Sequence, residues 1–281
     1  MQIALISDTH LTPVAPAFDA NLAAARRWIA ERGIGLTVHL GDITADGAVD
    51  PAQVDHARAM LTDWPGDLRV LPGNHDIGDN PGPHDHPPVT RERLDRHAAA
   101  FGPDRWAMAA AGWTLIGLDA QLFGQGADEE RAQDAWLEGI VAKASGPIGL
   151  FLHKPLFRDG TADRSLHHRY VPPDAGVALL RRLGEGLRFV VSGHTHQTRQ
   201  LHIGGIEHLW VPSTAFILPD AMQDTVGVKD VGMAVVTLEQ GAHRFELVQP
   251  EGMVRHDLAD HADVYPDYAD QLRAMAGRRH D

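Results

Sequence analysis

The sequence predicts an α/β chain in which two mixed β-sheets pack together with helices on the outside. Two observations carry this. From residue 3 to residue 192, short apolar runs alternate with stretches whose apolar residues recur at helical spacing. From residue 200 onward, strands follow one another in hairpin succession. No internal repeat or low-complexity block interrupts the pattern. Residues 1–250 are therefore expected to form one domain, with 251–281 as a polar tail.

The elements follow in order. Residues 3–6 read as a buried strand and 18–31 as a helix. A second strand, 36–40, precedes a helix over 51–61 with Asp50 as N-cap and Pro51 in its first turn. A third strand begins over 69–71. The run 77–89 is crowded with Gly, Pro, Asp and His, and is expected to be a loop over the site. A helix near 91–100 leads to strands over 105–109 and 113–118, joined by Ala110-Ala111-Gly112. Helices over 128–143 and 174–183 alternate with strands over 148–152 and 189–192. Gly204-Gly205, between runs 201–203 and 206–211, is a hairpin signal, and a second turn around Gln240-Gly241 joins 233–238 to 243–248. In the His/Asp-rich tail a short helix is expected over 265–276, lying on the surface or covering a partner subunit.

With 281 residues, 43% apolar and 22% charged, the chain can bury a sizeable core. Its 25 Lys and Arg against 38 Asp and Glu give a formal charge of −13, which disfavours a general nucleic-acid binder. A small anionic substrate remains compatible, because bound cations can reverse the field inside one cleft. The lack of cysteine excludes disulfides, zinc–thiolate sites and thiol nucleophiles. The apolar run 1–6 has no basic segment and passes directly into Ser7-Asp8-Thr9-His10, too short for a signal or a membrane span. A cytoplasmic protein is expected. The 18 histidines exceed what structure alone usually calls for and direct attention to ligands.

Those ligands sit at strand ends. The first strand ends in Asp8-Thr9-His10, the second in Gly41-Asp42, and the third in Gly73-Asn74-His75-Asp76. The strand at 148–152 ends in His153, and the one at 189–192 in Gly193-His194-Thr195-His196. Carboxyl ends of strands form the ligand crevice of α/β sheets, so these tips should converge. Taken alone, Asp-x-His and Gly-Asp are ordinary turn signals. Gly-Asn-His-Asp and Gly-His-Thr-His are stronger, because a structural turn does not ask for so many ligand-type side chains in succession.

The set Asp8-x-His10, Gly41-Asp42, Gly73-Asn74-His75-Asp76, His153 and Gly193-His194-x-His196 resembles the calcineurin-like metallophosphoesterase superfamily over nearly the whole chain, to about Leu247. The resemblance implies a four-layer αββα sandwich with two metals between the strand tips. It implies Asp8, His10, Asp42 and His196 as ligands of the first metal. Asp42, Asn74, His153 and His194 would hold the second, with Asp42 bridging. Asn74 and His75 would meet the substrate, His75 facing the leaving oxygen, with Asp76 as the partner that orients it. Asp8-Thr9-His10-Leu11 is most similar to the opening of bacterial class III cyclic nucleotide and glycerophosphodiester phosphodiesterases. Lys154-Pro155 departs from that group, where a second histidine followed by prolines is common.

Chemistry supports the same expectation. A bridging carboxylate can hold two cations ~3.5–4 Å apart, as two-metal phosphoryl-transfer sites require. Imidazole, carboxylate and amide donors suit Fe or Mn, or else Zn or Co, better than Ca or Mg. Water near two cations ionises readily, and the hydroxide can attack phosphorus in line while His75 protonates the departing oxygen.

Other residues take plainer readings. His84 and His86 read as solvated loop residues, and His167-His168 with Arg164 and Arg169 as surface charge. Trp28, Trp64 and Trp136 read as packing, and Asp119 as a loop residue. The leading expectation is a phosphodiesterase of small molecules, cyclic nucleotides or glycerophosphodiesters. A phosphomonoesterase or nucleotide pyrophosphatase is the alternative, and a non-catalytic scaffold a remote one. The apolar C-terminal hairpins offer sheet edges that a second copy could cover, which favours a homodimer.

Overall fold

In the computed structural model, which describes residues 1–162 and 165–277, the first strand, β1 (Gln2–Ile6), is buried on both sides. Ile3 and Leu5 face one way, Ala4 and Ile6 the other. Such a strand must lie between two layers. Next come α1 (Pro16–Glu31), β2 (Leu36–His39), α2 (Pro51–Leu61) and β3 (Asp67–Val70). A single helical turn, α3 (Asn74–Ile77), precedes α4 (Arg91–Phe101), β4 (Trp106–Ala110), β5 (Trp113–Gly117) and α5 (Asp128–Val141). Then follow β6 (Ile148–Phe151), α6 (Pro173–Leu183), β7 (Leu187–Ser192), β8 (Arg199–Ile203) and β9 (Ile206–Trp210). The chain closes through β10 (Phe216–Ile217), β11 (Met233–Glu239), β12 (Ala242–Val248), β13 (His256–Asp257) and α7 (Ala269–Gly277).

One sheet runs β12-β11-β1-β2-β3 and the other β4-β5-β6-β7-β9-β8, each with parallel and antiparallel pairs. Between them lies an apolar layer that includes Leu5, Val38, Trp113, Phe151, Phe189 and Val236. Behind the first sheet, Leu22, Ala25 and Ile29 of α1 and Ala57 of α2 pack on Ala4 and Ile6. Behind the second, Leu137 of α5 and Leu179 and Leu183 of α6 pack on Leu150 and Val190. The result is the expected four layers, helix–sheet–sheet–helix.

Local chemistry explains the element ends. Asp50 accepts from the Ala52 amide at 3.0 Å and caps α2, with Pro51 in its first turn. Gly204 and Gly205 both take positive φ, which a two-residue hairpin turn between β8 and β9 requires. β3 starts two residues ahead of the expected point, because polar Asp67 still pairs with Leu36 at the sheet edge. Within the run 77–89, Asp79 bridges Pro88 and donates its amide to the Pro87 carbonyl at 2.8 Å, so the loop is pinched shut at its base.

The tail departs from expectation. Instead of lying on the surface, Leu258, Ala259, Ala262, Val264 and Leu272 are buried in one cluster with Phe18 and Phe216. Their apolar side chains supply a face that the tail's polar composition concealed. Among the described residues, no helix is long and apolar enough to cross a membrane.

Candidate metal centre

The tips of β1, β2, β6 and β7 meet where the two sheets converge. Backbone bonds tie them together: Asp8 N donates to Gly41 O at 3.0 Å, His10 N to Asp42 O at 3.1 Å, and Gly193 N to His153 O at 2.9 Å. The approach is close enough to demand glycine. A Cβ on Gly193 would stand 1.8 Å from Ser7 Oγ, and one on Gly73 would stand 2.1 Å from Asp42 Oδ1.

The backbone is also strained there. Asp8, His10, Asp42, His194 and His196 all have φ between 44° and 66°. Among the described residues only Asp63 and Ala111 share this region without being glycine. The left-handed conformation is costly for a side-chain-bearing residue and gathers at functional sites. Here it turns five side chains inward.

What they form is a double cluster. His10 Nε2 lies 3.1 Å from His196 Nε2, which is 3.4 Å from Asp8 Oδ1. Beside it, His153 Nε2 lies 3.0 Å from His194 Nδ1 and 3.2 Å from Asn74 Oδ1. Asp42 Oδ2 stands between the two halves, 3.2 Å from His153 Nε2 and 3.9 Å from His10 Nε2. Its other oxygen is already occupied, accepting the His75 amide at 2.9 Å.

Two tautomers follow from the bonds made. A carbonyl can only accept, so His153 Nδ1–H donates to Leu40 O at 3.0 Å and His196 Nδ1–H to Phe216 O at 2.7 Å. Both Nε2 atoms therefore face the cluster. Burial holds His10 and His194 well below the usual imidazole range, and His196 below it, which favours the neutral form that a metal ligand needs. Burial also opposes charge on His153, but Asp42 outweighs it and carries that group up to about 9. Asp42 is held well below the usual carboxylate range; burial acts against this and His153 overcomes it. Nitrogen lone pairs and carboxylates facing each other at these distances, with buried His194 Nε2 lacking a hydrogen-bond partner among the described residues, fit a pair of cations and poorly fit anything apolar.

Asp76 departs from the expected role. It does not reach the His75 ring; its carboxylate accepts from the amides of Ile43, Thr44 and Gly73 and from Thr44 Oγ1. Burial, then repulsion from Asp42, pushes it up to about 6 against the pull of those bonds. Asp76 thus clamps two strand tips together. The His75 ring instead contacts His10 (5.0 Å between centroids), His86 (4.8 Å) and Tyr265 (5.4 Å).

His86 is the second difference. Rather than being fully solvated, it is half-buried and accepts from Asn74 Nδ2 at 3.2 Å, which turns Asn74 Oδ1 toward His153. His84 caps Asn80 O at 2.6 Å. His168 and Arg169 are only partly exposed and face the same cavity as His194, while Arg164 falls outside the described residues. Asp119 is fully buried, accepting from the Gln121 amide. His39 went unnoticed in sequence: Gly41 N donates to its Nδ1 at 3.2 Å, so its Nε2–H donates to Thr9 Oγ1 at 2.9 Å, joining the first two tips. The tryptophans pack as expected, Trp64 donating to Thr37 Oγ1 at 2.9 Å.

A family model for calcineurin-like phosphoesterases matches residues 1–198. The chain belongs to that family. This phosphoesterase is 26% identical over 224 residues to a protein of Psychrobacter arcticus named a probable cyclic nucleotide phosphodiesterase, covering 75% of this chain and 79% of that one. Its fold is similar to a dimetal phosphatase from Danio rerio (TM-score 0.65, 12% identity, 88% of this chain and 95% of the other). It is also similar to an anchor protein of the Plasmodium inner membrane complex (TM-score 0.61, 13% identity, 90% and 86%). One fold thus serves a phosphatase and an anchor, and function must be argued from the site. The family and the site together make this phosphoesterase a metal-dependent phosphoester hydrolase, and its clustered histidines and aspartates are candidate ligands for divalent metal ions.

Proposed function

We propose that this phosphoesterase hydrolyses small-molecule phosphodiesters, of the cyclic nucleotide or glycerophosphodiester class. The observation that carries the reading is a pair of clefts that meet at His75. One, of about 240 Å³, runs over His10, Asn74 and His194 toward Phe216, Leu218 and Met222. The other, of about 370 Å³, runs between Asp46, Pro83 and Pro87 on one side and Val264 and Asp267 on the other. His75, His86, His168 and Tyr265 line both. A diester has two organic arms about one phosphorus, and two clefts that meet beside the metal-ligand candidates suit it. The name of the P. arcticus relative points the same way.

Asp8, His10, Asp42 and His196 would hold one cation, and Asp42, Asn74, His153 and His194 the other, with Asp42 common to both. Fe or Mn suits this donor set, with Zn or Co as substitutes. When bound, two such ions lower the pKa of water and neutralise charge on phosphoryl oxygens. The protein's part is positional. His86 aims Asn74, and the carbonyls of Leu40 and Phe216 aim His153 and His196. His75 stands at the junction of the clefts, where it would hand a proton to the departing oxygen.

Arg169 favours a second reading, a monoesterase. It is partly buried on the cavity wall, its guanidinium donates to Met222 O at 3.2 Å, and among the described residues it makes no ion pair with a carboxylate. A dianionic monoester could use that charge. Metal-loaded protein assayed on bis-nitrophenyl phosphate and nitrophenyl phosphate separates the two. Higher kcat/KM on the diester is expected, and clear preference for the monoester would overturn the diester reading. A panel of cyclic nucleotides and glycerophosphodiesters then identifies the substrate.

A further inference from the structure

Of the three candidate ligand histidines that use Nε2, two have their outer nitrogen bonded to a backbone carbonyl, as described above. The third, His10, has no carbonyl at that position. Its Nδ1 meets the Tyr265 hydroxyl at 2.9 Å, across 255 residues of sequence. Tyr265 lies beyond residue 198, where the family match ends.

The tail is fixed well enough to hold Tyr265 in place. Asn21 of α1 accepts the Val254 amide at 2.8 Å and donates to the Val254 carbonyl at 2.9 Å. β13 pairs in parallel with β10, the strand whose Phe216 carbonyl binds His196. Ala262 and Val264 are buried beside Phe216. The Tyr265 ring then covers the open side of His75, at 5.4 Å, and lines both clefts.

We propose that the C-terminal segment completes the metal site, with Tyr265 as a positioning residue that holds His10 in its Nδ1–H tautomer. In that form Nδ1–H donates to the Tyr265 oxygen and the Nε2 lone pair faces Asp42 and His196, as a ligand must. The proposal rests on His10 being a metal ligand. Its consequence is that the C-terminal tail, outside the part of the chain shared with the family, governs first-metal affinity.

The test is Mn²⁺ binding to the full chain, by competition with a chelator, for wild type, Tyr265→Phe and His10→Ala. Tyr265→Phe keeps the ring and should weaken binding of one Mn²⁺, the one at the His10 half of the cluster, by ~10–100-fold, the usual cost of losing an outer partner of a ligand. Nitrogen NMR of the His10 ring supplies a second readout. Zn²⁺-loaded wild type should show Nδ1 carrying the proton, and Tyr265→Phe should lose that proton's protection from exchange. Unchanged Mn²⁺ affinity in Tyr265→Phe, with affinity lost in His10→Ala, would overturn the Tyr265 assignment and leave the ligand reading standing. Unchanged affinity in His10→Ala would overturn both. The wild-type spectrum needs no variant to fold, and an Nε2–H form there would contradict the proposal by itself.

Discussion

Lys154 buries its ammonium against the Asp79 carboxylate. The same Nζ donates to Asn80 Oδ1 at 3.0 Å, and Asn80 Nδ2 donates onward to the carbonyls of Ala120 and Phe123. One buried cation thus joins the residue after His153 to the base of the loop that carries His86 over the site. The departure from a second histidine at this position has a structural use: the lysine anchors that loop.

Lys154→Met should strip buried Asp79 of its ammonium partner, leaving it the Asn80 amide and His84 at 3.6 Å, and such losses cost ~3–5 kcal/mol. Urea unfolding should report a fall of that size. In Lys154→Met with Asp79→Asn, the stranded charge is gone and much of the stability should return. If the single and double variants lose the same amount, the pair is not what holds the loop.

His75→Ala should retain its metals, because the His75 ring accepts no place in the proposed ligand set. Turnover should fall by ~10²–10⁴-fold, the usual worth of a general acid. The fall should be largest for substrates with poor leaving groups. Rates measured against leaving-group pKa would show this as a steeper slope, and equal slowing across the series would argue against proton donation.

His97 predicts a pH dependence of stability. Both its ring nitrogens are buried without a partner among the described residues, and burial brings it down to about 4. The unfolded chain takes up a proton near pH 6.5, which the folded chain refuses until about pH 4. Stability is therefore full above pH 6.5 and is lost as pH falls through that window, by up to roughly 3 kcal/mol at 1.36 kcal/mol per unit. His97→Leu should remove this part of the slope, measured as the difference in unfolding free energy between pH 7 and pH 5. An unaltered slope would place the acid sensitivity elsewhere.

The strand tips could be read from sequence because each is local: an apolar run ends and ligand-type residues follow at once. Asp8, His10, Asp42, Asn74, His153, His194 and His196 come together for that reason. What could not be read was the support behind them. Asp76 sits next to His75 in sequence, yet its buried carboxylate goes where four donors are, at Thr44, Ile43 and Gly73. His86 and Tyr265 reach the site through a loop pinched at Asp79 and a tail packed on Phe18 and Phe216, and no periodicity records either path. In the tail, the signal was present but faint: Leu258, Ala259, Ala262, Val264 and Leu272 form an apolar face inside a polar stretch.

The most direct measurement is metal content by mass analysis after loading with Mn²⁺, for wild type and Asp42→Ala. Asp42 Oδ2 lies between both halves of the cluster, so wild type should bind two equivalents and Asp42→Ala should hold neither firmly. Two equivalents retained by Asp42→Ala would contradict a centre built around that carboxylate.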